Sequence, residues 1–142
     1  MGDKSRYLRN AVINTVLLGQ TFTGSGSIWV GLHTSAPINS STGVPYTGTE
    51  IDNANYARQQ IYFTTSSTGE SSNSNEISFG VASATFENTG SSATLITHYA
   101  IHDQEGIYSG NILYADTLTT SQTIATGNEA RFAIGTLTLT ET

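Results

Sequence analysis

His98 and His102 stand four residues apart, a spacing that invites a shared metal ion. On a strand four residues span about 13 Å, too far for two imidazoles to reach one ion through bonds of ~2.1 Å. The helix that would unite them is contradicted by the alternation of Leu95, Thr97, Tyr99 and Ile101 around them. A second set of donors, Glu50, Asp52, Asn53 and Asn55, gathers oxygen atoms in one segment. It lacks the twelve-residue pattern of a calcium loop and reads as the polarity of a solvated loop. His33 has no serine at nucleophile spacing, no G-x-S-x-G is present, and the TGSGS run at 23–27 carries no lysine for phosphate. A glycosidase-type carboxylate pair is assembled in space and is left open by the sequence. The residues therefore predict no catalytic group, no metal, no cofactor and no enzyme.

The remaining groups suited to recognition are aromatic. Trp29 and Tyr46, with Tyr56, Tyr62, Tyr99, Tyr108 and Tyr114, could stack on sugar rings, as in carbohydrate-binding β-sandwiches. Trp29 and Tyr46 are the candidate receptor or glycan platforms. Rings at strand ends serve equally well as rim packing.

What must position these side chains is a small, polar domain. The 142 residues suit a single domain over 1–142, and Ser and Thr fill 40 positions. Cysteine is absent, so no disulfide framework holds the fold. No apolar run is long enough to span a membrane, and no secretory leader is legible at the start.

Charge is distributed unevenly. Lys4, Arg6 and Arg9 against Asp3 give the first nine residues +2, and the rest of the chain carries −8, with Arg58 and Arg131 its only cations. An acidic body argues against binding phosphate backbones, so no nucleic-acid partner is expected.

The basic residues head the one credible helix, 5–18, with Asp3 or Ser5 to cap its start and Gly19 past its end. At about 100° per residue, Tyr7, Leu8, Ala11, Val12, Thr15, Val16 and Leu18 form a broad apolar half expected to cover the sheet core. The other half carries Arg6, Arg9, Asn10, Ile13 and Leu17, two aliphatic residues with a polar surround, as at a protein interface.

The body reads as strands. SIWVGLHT alternates cleanly, and YARQQIYFT resumes the alternation with Ala57, Ile61 and Phe63 inward. Segment 35–55 holds both prolines and little periodicity, and reads as a long surface loop. A phase change from Ile77, Phe79 and Val81 to Ala84 and Phe86, placed near Gly80, and another at Gly135, between Ile134 and Leu137, predict bulges. Turn signals at Gly69, Gly106, Gly110 and Gly127-Asn128 then give a mainly β fold: an antiparallel β-sandwich, jelly-roll or Ig-like, of about eight strands with one N-terminal α-helix.

Taken in order, SRYLRNAVINTVLL, IWVGLHTSAP, YARQQIYF, THYAIHD and GNILYADTLTTSQTIATGNEARFAIGTLTLT resemble a family of small tailed-bacteriophage virion proteins, often labelled tail-fibre-like. The resemblance implies a shared fold and a structural part in a virion assembled in the host cytoplasm. Similar proteins act as capsid decoration (cement) subunits, commonly homotrimers, or as tail and tail-fibre components. Short length and the absence of a heptad or shaft repeat put capsid decoration first, with the major capsid protein as partner and the basic helix as the dock. A tail-fibre component and a carbohydrate-binding module are the alternatives.

Overall fold

The computed structural model describes residues 2–52, 56–81, 94–124 and 129–140. Its main sheet has five strands: β1 (Asp3–Lys4), β2 (Ile28–His33), β3 (Gln59–Ile61), β6 (Thr94–His102) and β7 (Ile112–Ile124). They lie in the order β1-β7-β6-β2-β3, with every pairing antiparallel. Two short ribbons accompany it, β4 (Glu70–Ser72) with β9 (Thr138–Thr140) and β5 (Ile77–Val81) with β8 (Glu129–Phe132). The architecture is thus the mainly β, sandwich-like antiparallel arrangement that the alternation predicts.

One face of the main sheet presents Val30, Leu32, Tyr99, Ile101 and Leu118 to Ile77, Phe79, Ala130, Phe132 and Leu137. This is the principal core, and period-two alternation in β2 and β6 puts it on one side. Asn73, wholly buried, ties the ribbons together: its side chain accepts from Leu137 N and donates to the carbonyls of Asn75 and Ala133.

Several expected phases shift. Leu95 is exposed and Ile96 buried, because the β6–β7 register breaks between Ile96 and His98. Ile134 is exposed, since the predicted last strand divides at Gly135 (φ 79°) into β8 and β9, which belong to different ribbons. The register of β5 against β8 shifts between Ser78 and Val81, where the bulge was expected. Ala84, Phe86, Gly127 and Asn128 lie outside the described residues.

The second face of the main sheet carries Trp29, Gly31 and His33 from β2 and His98, Ala100 and His102 from β6. Residues 35–51 of the segment read as a surface loop cover part of this face and are tied to it. Pro37 and Ile38 are buried, Ile38 packing with Ala100 and Ala115, and His33 bridges to Glu50 as Ile38 does to Pro45. Thr34 N and Ile51 N donate to Thr49 O and Leu32 O, so the segment returns along the sheet before leaving it.

Helix α1 (Arg6–Leu18) follows β1 directly. Ser5 caps it, its hydroxyl accepting from Leu8 N, and Gly19 closes it in the left-handed conformation (φ 64°) that favours glycine. The expected sealing of the core does not occur. Leu8 is its one buried residue, whereas Val12, Val16 and Leu18 are exposed, because the ribbons of β4, β5, β8 and β9 already close the core face.

Candidate functional site

A cleft of about 590 Å³ lies on the second face of the sheet, between the start of α1, segment 45–50 and the β6–β7 turn. His33 and His102 form its floor with Glu50 and Arg58. The two histidines sit at opposite ends of the β2–β6 pairing, opposite His98 and Trp29 respectively. They lean toward each other over Gly31 and Ala100, and their rings lie 5.9 Å apart and 11° from parallel.

Gly31 makes that convergence possible. A Cβ there would stand 2.5 Å from Glu50 Oε1 and 3.1 Å from His102 Nε2, so only glycine leaves space for both groups above the strand. One donor atom from each of His33, Glu50 and His102 falls within 4.8 Å of the others.

Both imidazoles are nearly sealed from solvent, at 2% and 3% exposure. Among the described residues, neither His33 Nε2 nor His102 Nε2 has a hydrogen-bond partner. His33 Nδ1 lies 3.0 Å from the Thr49 hydroxyl, and donation in that direction leaves Nε2 as a bare lone pair. Burial, then the Arg58 charge, then His98 push the His33 pKa down to about 3. Burial, Arg58 and His33, in that order, push that of His102 down to about 2. Both rings are neutral near pH 7.

Glu50 supplies the negative charge. Arg58 grips it through Nε to Oε1 (2.8 Å) and Nη2 to Oε2 (2.7 Å), and Tyr56 donates its hydroxyl to Oε1 at 3.3 Å. Arg58 Nη1 donates in turn to the carbonyls of Gln104 and Ser109 in the β6–β7 turn. Tyr56 accepts the Leu32 amide proton at 2.7 Å. Tyr56 and Arg58, expected to face outward, are therefore buried and Ala57 is exposed. Their polar ends are satisfied inside, and β3 begins only at Gln59, so strand alternation does not govern them.

Of the residues proposed from sequence, Arg6, Asn10 and Tyr46 line this cleft. Tyr46 is half exposed, and its hydroxyl accepts from Asn39 Nδ2. Trp29 is half-buried and is not among the lining residues. Arg9 donates to the carbonyls of Ser40 (2.8 Å) and Ser41 (3.1 Å), a contact within the chain, while Ile13 and Leu17 project on the far turns of α1.

His102 does not join His98, as the strand geometry required, but it does join His33 and Glu50 across neighbouring segments. Asn53 and Asn55 of the oxygen-rich loop lie outside the described residues, and Asp52 accepts a hydrogen bond from Tyr108. Sequence reasoning missed Arg58, although it is one of only two cations after residue 9 and follows Glu50 by eight positions. An isolated cation in an acidic chain was the available signal.

A family model described as Gp80, podophage GP4 fiber I protein gp80, matches residues 3–140, nearly the whole chain. Among proteins of curated function, none matches it at a significant level.

Proposed function

Because the chain belongs to the podophage GP4 fiber I protein family, and so is a structural component of a phage virion, we propose that it is a fibre subunit that trimerises through α1 and has no catalytic role. The observation that supports this is the free end of the helix. At about 100° per residue, Leu8, Val12 and Val16 lie along one edge and Ile13 and Leu17 along the other edge of an arc roughly 180° wide, which Arg6 and Arg9 share only in the first turn. Its first turn is used internally, by Leu8 in the domain and Arg9 on segment 40–41. Further along, Val12, Ile13, Val16 and Leu17 are 43%, 52%, 72% and 73% exposed. A stripe of that width on a helix stabilises the protein only when covered, and three copies around one axis cover it with identical surfaces.

Capsid decoration draws on charge instead, the basic head of the chain against an acidic shell. One of those three cations, Arg9, is engaged by the chain's own carbonyls, which weakens that reading. The family match favours the fibre.

Light scattering coupled to size exclusion tests the proposal. The wild-type chain is expected to elute as a trimer, and Ile13→Asp with Leu17→Asp as a monomer with an unchanged circular dichroism spectrum. A wild-type monomer, or a trimer that survives both aspartates, would overturn it.

A further inference from the structure

We infer that His33, Glu50 and His102 form a three-ligand site for a divalent transition metal of zinc type, with a fourth position open to the cleft. The residue types are those of a two-histidine, one-carboxylate centre. They come from β2, the returning segment and β6, so the tertiary structure and not a local motif assembles them.

Two independent observations point to an occupant. The first is the pair of buried ring nitrogens, His33 Nε2 and His102 Nε2, neither of which has a hydrogen-bond partner among the described residues. A single unsatisfied buried group costs about 1–3 kcal/mol, and an ion bound at the cluster would relieve that cost at each nitrogen it takes. The second is the convergence over Gly31, where Glu50 Oε1 and His102 Nε2 stand so close to the strand that a Cβ would meet them at 2.5 Å and 3.1 Å.

Distances are compatible with modest closure. The donor atoms lie within 4.8 Å of one another, whereas tetrahedral zinc with bonds of 2.0–2.1 Å needs them about 3.4 Å apart. Imidazole rotations of about an ångström at the ring nitrogens supply the difference. The surroundings match those of metal ligands: Thr49 is placed to hold His33 Nδ1, and Tyr56 and Arg58 hold the carboxylate. Arg58 opposes a cation by its charge. It lies on the carboxylate, with its remaining donors on the Gln104 and Ser109 carbonyls, so that it orients Glu50 and leaves the nitrogens clear. The residues cancel in charge before a metal enters, and the open position therefore favours an anionic fourth ligand such as hydroxide.

The test uses the full chain, dialysed against chelator and then titrated with Zn²⁺ by calorimetry and with Co²⁺ by visible absorption. One metal per chain is expected, with the intense visible bands of four-coordinate cobalt and a raised thermal midpoint on Zn²⁺ addition. His33→Gln and His102→Gln are each expected to abolish uptake, and His98→Gln, on the same sheet face, to leave it intact. Failure of the wild-type chain to take up either metal below millimolar concentration overturns the site, however the variants fold. Uptake that survives His33→Gln, or that disappears with His98→Gln, overturns the ligand assignment.

Discussion

Arg58 and Glu50 are joined by two parallel hydrogen bonds, and this one pair fixes three parts of the chain. Glu50 brings the segment that returns from the far end of β2, Arg58 brings the approach to β3, and the remaining guanidinium nitrogen holds the β6–β7 turn by the carbonyls of Gln104 and Ser109. The side chains are 3% and 12% exposed, so the pair is withdrawn from water on both sides.

Removing one partner should therefore be far worse than removing both. Arg58→Met leaves the Glu50 carboxylate buried and is expected to cost about 3–5 kcal/mol in urea unfolding, with part recovered in Arg58→Met/Glu50→Gln. The exposed pair Arg131–Glu76 is the internal comparison, and Arg131→Met should cost under about 1 kcal/mol. Equal losses at the two sites would disprove the clamp.

Acid should destabilise the metal-free protein through its two buried histidines. Their folded pKa values, about 3 for His33 and about 2 for His102, lie below the 6.5 of the unfolded chain. Protons then bind the unfolded state first, so stability is complete above pH 6.5 and declines as pH falls toward the folded values. The groups facing them are Arg58, Glu50, His98 and each other. At two pH units below the unfolded value each histidine should cost at most about 2–3 kcal/mol. Urea midpoints measured in chelator from pH 7.5 down to 4.5 check this, and replacing either histidine with glutamine should flatten the slope.

Asn73 should behave as a core residue despite its polarity. Asn73→Ala removes the partner of Leu137 N and of the Asn75 and Ala133 carbonyls. A loss of about 3 kcal/mol or more is expected, read from chemical denaturation. Retention of wild-type stability would mean that water replaces the amide without penalty.

The helix should divide into a structural start and an idle end in the isolated subunit. Leu8→Ala is expected to cost about 2–4 kcal/mol, as for other buried leucines. Leu17→Ala, at 73% exposure, should change the stability of the monomer by no more than about 0.5 kcal/mol. A large effect at Leu17 in a monomer would place that residue in the domain's own core.

Local patterning determined much of this protein. Alternation in 28–33 and 94–102 specified β2 and β6, and the run from Ser5 to Gly19 specified a capped helix. These elements follow from backbone periodicity and end chemistry, which a linear chain carries in full. The same periodicity explains why His98 and His102 cannot meet.

Tertiary structure decided what those elements face. Helical periodicity marks an apolar stripe but does not say whether the sheet or another molecule covers it, and here two ribbons reach the core first. Phase rules failed at Tyr56 and Arg58 because a buried hydroxyl and an ion pair outweigh alternation where no strand has begun. His33, Glu50 and His102 are separated by 17 and 52 positions along the chain. Only pairing of β2 with β6, and the return of Glu50 over a residue lacking a Cβ, brings them to one point.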